Sequence, residues 1–184
     1  MKPATTLVRV TAASDALDRL TALVPDFPEP GVLFRDLTPV LADAAALRAV
    51  ATELAEVAAG DYDAIAGVEA RGFALAAAAA ALSSTGLVLI RKAGKLPRPT
   101  YHREYDLEYG RAALELHRDE LPAGSRVLLV DDVLATGGTL VAALALLSEA
   151  EIEVVGISVA LELSALGGRA RLADRDVHAL RQIE

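Results

Sequence analysis

The stretch Val127-Leu128-Leu129-Val130-Asp131-Asp132-Val133-Leu134-Ala135-Thr136-Gly137-Gly138-Thr139 decides how this chain is read. Its four leading apolar residues, within a strand predicted over 126–130, have the pattern of a strand buried on both faces. Two acids follow at the carboxyl end of that strand, where open α/β sheets bind their ligands. The Thr-Gly-Gly-Thr turn then opens a helix predicted to run to about residue 150. A helix start offers free N–H groups and the positive end of a dipole, both favourable to phosphate. Thr136 and Thr139 add hydroxyl donors, and the glycines let backbone approach an anion closely. Adjacent carboxylates accept hydrogen bonds from sugar hydroxyls and can hold magnesium through water. Together these features point to a phosphorylated sugar. The competing reading is a buried acid pair above a capped helix, but two neighbouring acids there repel each other without a ligand or cation. Two phosphate-binding patterns are excluded: no lysine follows the glycines as G-x-x-x-x-G-K-[ST] requires, and G-x-G-x-x-G is absent. A response-regulator receiver also has an acid pair after an apolar strand, but has no reason to follow it with Ala-Thr-Gly-Gly-Thr.

Outward from this stretch the same rhythm continues. The apolar run Ala64 to Val68 leads through Glu69-Ala70-Arg71-Gly72 into an alanine-rich helix. Gly86 ends that helix, and Leu87 to Ile90 reads as the next buried strand. Strand–helix–strand implies a parallel pair with a right-handed crossover. A further strand is predicted over Val154 to Leu161. Nearer the start, Ser14 opens a helical pattern with Leu17, Leu20 and Leu23, stopped by Pro25. Pro25, Pro28 and Pro30 predict an extended, loop-like segment to Pro39. Asp43 caps a second helix, with Leu47, Val50, Leu54 and Val57 on one face, ended near Gly60. Residues 92–111, rich in charge, proline and tyrosine, break the rhythm, and an apparent loop of ~20 residues is usually a functional lid or a misread element. The fold predicted is α/β, a mostly parallel sheet flanked by helices, in one domain over residues 1–184.

Composition limits the function classes. The 184 residues are 53% hydrophobic and 24% charged, which excludes intrinsic disorder. With no cysteine there is no thiol chemistry, no Cys-ligated zinc and no iron–sulfur cluster. A net charge of −8 argues against sequence-independent nucleic-acid binding, which runs on a basic surface. The stretch Phe73 to Leu82 is about half the length of a membrane span, and neither end reads as a targeting segment. The expectation is a soluble, cytoplasmic protein without nucleic-acid or membrane partners. His102, His117 and His178 have no metal-ligand spacing.

These residues carry a resemblance. The quoted stretch is similar to the signature of type I phosphoribosyltransferases. Pro30-Gly31-Val32-Leu33-Phe34-Arg35-Asp36, Glu69-Ala70-Arg71-Gly72-Phe73, Ile90-Arg91-Lys92-Ala93-Gly94-Lys95-Leu96-Pro97 and Leu107-Glu108-Tyr109-Gly110 resemble four more blocks of the adenine phosphoribosyltransferase family. Order and spacing agree from about residue 27 to 181. The resemblance implies the type I phosphoribosyltransferase fold with a mobile hood loop over about 93–113. It implies the joining of adenine to 5-phosphoribosyl-1-pyrophosphate (PRPP), giving AMP and pyrophosphate with inversion at the anomeric carbon. Ala135, Thr136, Gly137, Gly138 and Thr139 would cradle the 5-phosphate, and Asp131 and Asp132 would hold the ribose hydroxyls. Arg71 would bind pyrophosphate, with the backbone around Ala70, often strained in the family, turned to the same group. Arg91, Lys92 and Lys95 would face pyrophosphate partly across a dimer interface, which implies a homodimer. Phe34 would stack on adenine opposite Leu163, with the base edge read by main-chain groups of Leu33 and Arg35. Glu108 would assist adenine at N7, and Tyr109 would lie near pyrophosphate. Mg2+ would be held by PRPP rather than by direct protein ligands, with Asp131 and Asp132 reaching it through water. Ala70 departs from the serine common among relatives, and Tyr101-His102-Arg103 makes the hood tip bulkier and more charged.

Two further readings stay open at this level. Main-chain readout of the base leaves room for another purine such as xanthine. A PRPP-sensing regulator would share the fold without catalysis, though such proteins usually add a DNA-binding domain, for which the 26 residues before Phe27 and the acidic charge leave little scope.

Overall fold

The computed structural model describes residues 11–106, 111–172 and 174–184. Its centre is the strand pair anticipated from the apolar runs, β3 (Ala64–Val68) and β7 (Arg126–Leu134), which are parallel neighbours. Every residue of β3 is buried. Side chains alternate across the sheet with period two: Ile65, Leu128 and Val130 enter one core, while Ala64, Ala66, Val127 and Leu129 enter the other.

From β3 the chain crosses through α4 (Arg71–Ser83) to β4 (Gly86–Lys92) on one side. From β7 it crosses through α5 (Gly138–Glu149) to β8 (Glu153–Leu163) on the other, and β9 (Val177–Ile183) pairs with β8 in parallel. Oppositely directed right-handed crossovers must lie on opposite faces. Accordingly α4 packs in the first core with α1 (Ala12–Leu20) and α3 (Ala44–Ala55), and α5 packs in the second. The alanine-rich sequence of α4 permits close packing on the sheet. Its buried residues are Gly72, Leu75, Ala76, Ala79 and Ala80, and a Cβ placed on Gly67 of β3 would lie 2.6 Å from the Ala76 Cβ.

Several expectations need correction. Residues 92–111 are not one continuous loop: after a turn segment over 93–99, β5 (Thr100–Asp106) pairs antiparallel with β6 (Arg111–His117), and β6 pairs antiparallel with the end of β4. The described residues therefore form a main sheet of seven strands in the order β5-β6-β4-β3-β7-β8-β9. The apolar positions that hold the hairpin, Leu114 and Leu116, alternate among charges and are buried. The proline-rich segment contains a second small sheet, β1 (Ala22–Pro25) paired antiparallel with β2 (Leu33–Asp36), followed by the short helix α2 (Thr38–Ala42). At the tip of that β1–β2 pair Asp26 Oδ1 accepts from the Gly31 N–H at 2.7 Å, and Gly31 takes a φ of +88°. Thr11, not Ser14, caps α1; Ser14 completes a reciprocal capping box from the third helical position. Asp43 does cap α3, its Oδ1 accepting from the Ala46 N–H at 2.8 Å, but that helix ends at Ala55 and a 3-10 turn continues to Gly60.

Candidate active site

The sheet order reverses between β3 and β7, so their carboxyl ends open a crevice that no crossover covers. Both chemically distinctive segments reach that crevice: Glu69-Ala70-Arg71 leaves β3, and Asp131-Asp132 stands near the end of β7. The acids do not lie beyond the strand, as expected, but within it. β8 extends to Leu163 and pairs Asp131 with Val159, Val133 with Leu161 and Leu134 with Glu162, carrying the ladder past the carboxylates.

Asp131 is 6% exposed. The first turn of α4 is packed onto it, since a Cβ on Gly72 would lie 2.7 Å from Asp131 Oδ1. That oxygen accepts from the Asp132 N–H at 2.8 Å. Burial, reinforced by the neighbouring Asp132 charge, pushes the Asp131 carboxyl well above the usual aspartate range. Asp132 faces Arg71: its Oδ2 lies 2.6 Å from Arg71 Nε, an ion pair whose alignment makes no hydrogen bond, so this buried oxygen is left without a hydrogen-bond partner. Arg71 also spans to the base-binding segment of the sequence. Its Nη1 donates to the Arg35 carbonyl at 3.4 Å and its guanidinium carbon lies 4.8 Å from the centre of the Phe34 ring. Phe34 in turn meets Phe27 edge to face, with ring centres 5.0 Å apart. One arginine thus joins the acid pair to β2. The peptide between Glu69 and Ala70 is cis.

Downstream of the acids, Gly137 takes a φ of +81° and serves as N-cap of α5 without any side-chain cap. The first N–H groups of that helix therefore have no capping side chain. The turn is braced from behind by residues 168–171. A Cβ on Gly137 would lie 2.8 Å from the Gly168 carbonyl oxygen, and Arg171 Nη1 donates to the Thr136 carbonyl at 3.3 Å.

The basic cluster is positioned by Glu69. Its Oε2 accepts from the Lys92 N–H at 2.9 Å and from Arg91 Nε at 3.3 Å, while Arg91 Nη1 donates to the Lys95 carbonyl at 3.2 Å. Lys92 and Lys95 are exposed. Glu115 on β6 accepts from the Gly94 N–H, fixing the same turn from the hairpin side. Leu33 is exposed at the end of the β1–β2 pair, and Leu163 is half-buried at the end of β8. A cavity of about 770 Å³ touching Leu23, Arg35 and Ser164 lies beside β2 and reaches neither acid. Glu108 and Tyr109 lie outside the described residues. Among the described residues no three His, Asp or Glu side chains gather as a metal site, and no helix is long and apolar enough to cross a membrane.

Sequence reasoning assigned nothing to Gly72, Glu162, Gly168 or Arg169. Glu162 left a trace: an acid inside the apolar run of β8 has to find a partner. Arg169, seven residues on, supplies it with a fork from Nε at 2.8 Å and Nη2 at 2.5 Å. The glycines left none, because what they accommodate comes from distant segments.

Comparison with known proteins agrees with this geometry. Residues 37–180 match the model of the phosphoribosyl transferase domain. The adenine phosphoribosyltransferase of Renibacterium salmoninarum is 61% identical over 166 residues, covering 90% of this chain and 91% of that protein. The crystal structure of the Rhodothermus marinus adenine phosphoribosyltransferase, 43% identical, superposes with a TM-score of 0.86 over 92% of this chain and 97% of that one. The Saccharomyces cerevisiae enzyme, complexed with an imino-altritol bisphosphate and adenine, is 34% identical with a TM-score of 0.85, covering 92% of this chain and 98% of that one. Likeness of this depth, along nearly the whole length of these proteins, means that the chain belongs to the adenine phosphoribosyltransferase family.

Proposed function

We propose that the protein transfers the 5-phosphoribosyl group of PRPP to adenine, giving AMP and pyrophosphate for purine salvage, and that it does so as one phosphoribosyltransferase domain. The observation that carries this reading is the meeting of Arg71, Phe34 and Asp132 in one crevice. A base-stacking ring, an anion-binding cation and a sugar-binding acid stand there within one side chain of each other. Family membership supports the same reading.

In the reaction the bond from C1 of the sugar to pyrophosphate breaks and its electron pair leaves with pyrophosphate. Adenine N9 forms the new bond on the opposite face and gives up its proton, so the anomeric carbon inverts. Asp131 and Asp132 accept hydrogen bonds from the ribose hydroxyls, and their negative charge stabilises the cationic character that the sugar develops. Ala135, Thr136, Gly137, Gly138 and Thr139 take the 5-phosphate at the uncapped start of α5. Arg71, Arg91, Lys92 and Lys95 take pyrophosphate. When Arg71 turns to that anion, Asp132 Oδ2 is released for the sugar. Phe34 stacks on adenine opposite Leu163, and main-chain groups of Leu33 and Arg35 read its edge. The segment 93–113, which includes most of the β5–β6 hairpin, closes over the sugar and keeps water from the cationic centre, with Glu108 at adenine N7 and Tyr109 near pyrophosphate.

The donor set suits magnesium. Asp131 and Asp132 are hard oxygen donors, one of them with an oxygen that has no hydrogen-bond partner, and with no third acid beside them among the described residues they fit an ion that takes its remaining oxygens from water and substrate phosphates. When bound, magnesium lowers the charge on the departing pyrophosphate. We place the enzyme in the cytoplasm, because a multiply charged phosphosugar does not cross hydrocarbon unaided. We also propose a homodimer in which the Arg91–Lys95 cluster serves the neighbouring site.

The test is a nucleobase panel with PRPP and magnesium, read by pyrophosphate release. Adenine alone is expected to turn over, and excess chelator to stop the reaction. Transfer to xanthine in its place, or PRPP binding without turnover of any base, overturns the reading.

A further inference from the structure

The turn Ala135–Gly137 rests on the backbone of Gly168, and from the same side Arg171 Nη1 donates to the Thr136 carbonyl at 3.3 Å. A Cβ on Gly168 would lie 2.9 Å from the Gly137 nitrogen and closer still to the Ala135 carbonyl oxygen. The backing segment itself has little to hold it. Of residues 164–172 only Gly168 and Leu172 are buried, and most of the others are exposed. Its polar anchor is Arg169. The guanidinium grips both oxygens of Glu162, which is 4% exposed, and Nη1 donates to the Val177 carbonyl at 2.8 Å. Glu162 Oε2 accepts a further bond from Gln182 Nε2 at 3.1 Å. One planar fork thus ties the end of β8, the start of β9 and the segment beneath the turn. A lysine offers a single point of charge and cannot reproduce it.

We propose that Glu162 and Arg169 are positioning residues for the 5-phosphate loop. Their ion pair fixes the Gly168 backbone against Ala135 and Gly137, and so sets the N–H groups that meet the substrate's phosphate monoester. Neither side chain touches substrate. The inference rests on the assignment of Ala135–Thr139 to the 5-phosphate, and the experiment separates the two.

The probes are ribose 5-phosphate, which carries only the 5-phosphate, and magnesium pyrophosphate, which carries only the other anion. Binding of each to the full-length parent, Arg169→Lys and Gly168→Ala is measured by calorimetry, beside KM and kcat for PRPP and thermal melts. Both variants are expected to weaken ribose 5-phosphate by roughly tenfold, the scale of one charge-assisted hydrogen bond. Pyrophosphate binding should stay within about twofold, and KM for PRPP should rise more than kcat falls. Arg169→Lys keeps the charge, so its failure to rescue assigns the effect to the fork. Gly168→Ala perturbs the same contact from the other side and decides the matter alone where the lysine variant does not fold. Equal weakening of both probes, or a lower melting temperature with unchanged ribose 5-phosphate affinity, overturns the proposal. A parent that binds pyrophosphate but not ribose 5-phosphate overturns the loop assignment, and the proposal with it.

Discussion

Asp131 and Asp132 are neighbours in sequence with different surroundings. Asp131 lies under α4 with its carboxyl pushed up by burial and by the adjacent charge, whereas Asp132 has Arg71 as its counter-ion. Because the folded protein holds the Asp131 proton to a higher pH than the unfolded chain does, its contribution to stability is full below the ordinary aspartate value of about 3.9. It is lost as pH rises through the elevated value. Asp131→Asn should therefore melt higher than the parent at neutral pH, and the difference should shrink as pH falls towards about 4. Melts of the two proteins across that range check this, and a gap that widens on acidification contradicts it. The same variant should bind PRPP more weakly by ~1–3 kcal/mol, because a neutral acceptor replaces a charged one. Arg71→Ala has two effects. It removes a donor to pyrophosphate, raising KM for PRPP at least about tenfold, and it strands the Asp132 carboxylate. The second effect should lower stability by about 1–3 kcal/mol, read as a lower urea midpoint that Asp132→Asn in the same chain restores.

At the scale of elements, the site depends on how closely α4 approaches the sheet. Gly67 on β3 and Ala76 on α4 leave no room for an additional methyl group, and the same helix carries Arg71 and Gly72 to the acids. Gly67→Ala should displace α4 outward, costing about 1–3 kcal/mol by overpacking and raising KM for PRPP together with it. Denaturant unfolding beside steady-state kinetics measures both. A variant that loses stability while KM stays at the parent value would uncouple α4 packing from the site. The β5–β6 hairpin shows why elements at the sheet margin resist reading from sequence. Its buried residues Leu114 and Leu116 are spaced as in a strand, but its partner strand exposes His102, Arg103 and Glu104 in succession and buries no apolar series of its own, so only the pairing with β4 identifies it.

For the molecule as a whole, the proposed dimer makes a direct prediction. If the Arg91–Lys95 cluster completes a neighbour's pyrophosphate site, specific activity should fall on dilution in step with dimer dissociation. Sedimentation velocity and assays over the same concentrations test it, and a fully active monomer removes the partner from the site. The sequence by itself determined the inner strands β3 and β7, the crossover helices, the acid pair and the turn that follows it. Each of these rests on local pattern: continuous apolar runs, the compact alanine series of α4, and a Gly-rich step from strand to helix. The cap at Asp43 was legible for the same reason, being set by residues three positions apart. Tertiary structure alone decided the rest. It placed the acids inside β7, because β8 extends alongside them, and it made strands of the segments flanking Pro28 and Pro30 by pairing Leu23 with Arg35 and Val24 with Phe34. It also turned Arg71 towards Asp132 and Phe34, and pressed Gly168 against Ala135. These contacts join residues from about ten to sixty positions apart, and their energies depend on burial and distance, which no local pattern of side chains encodes.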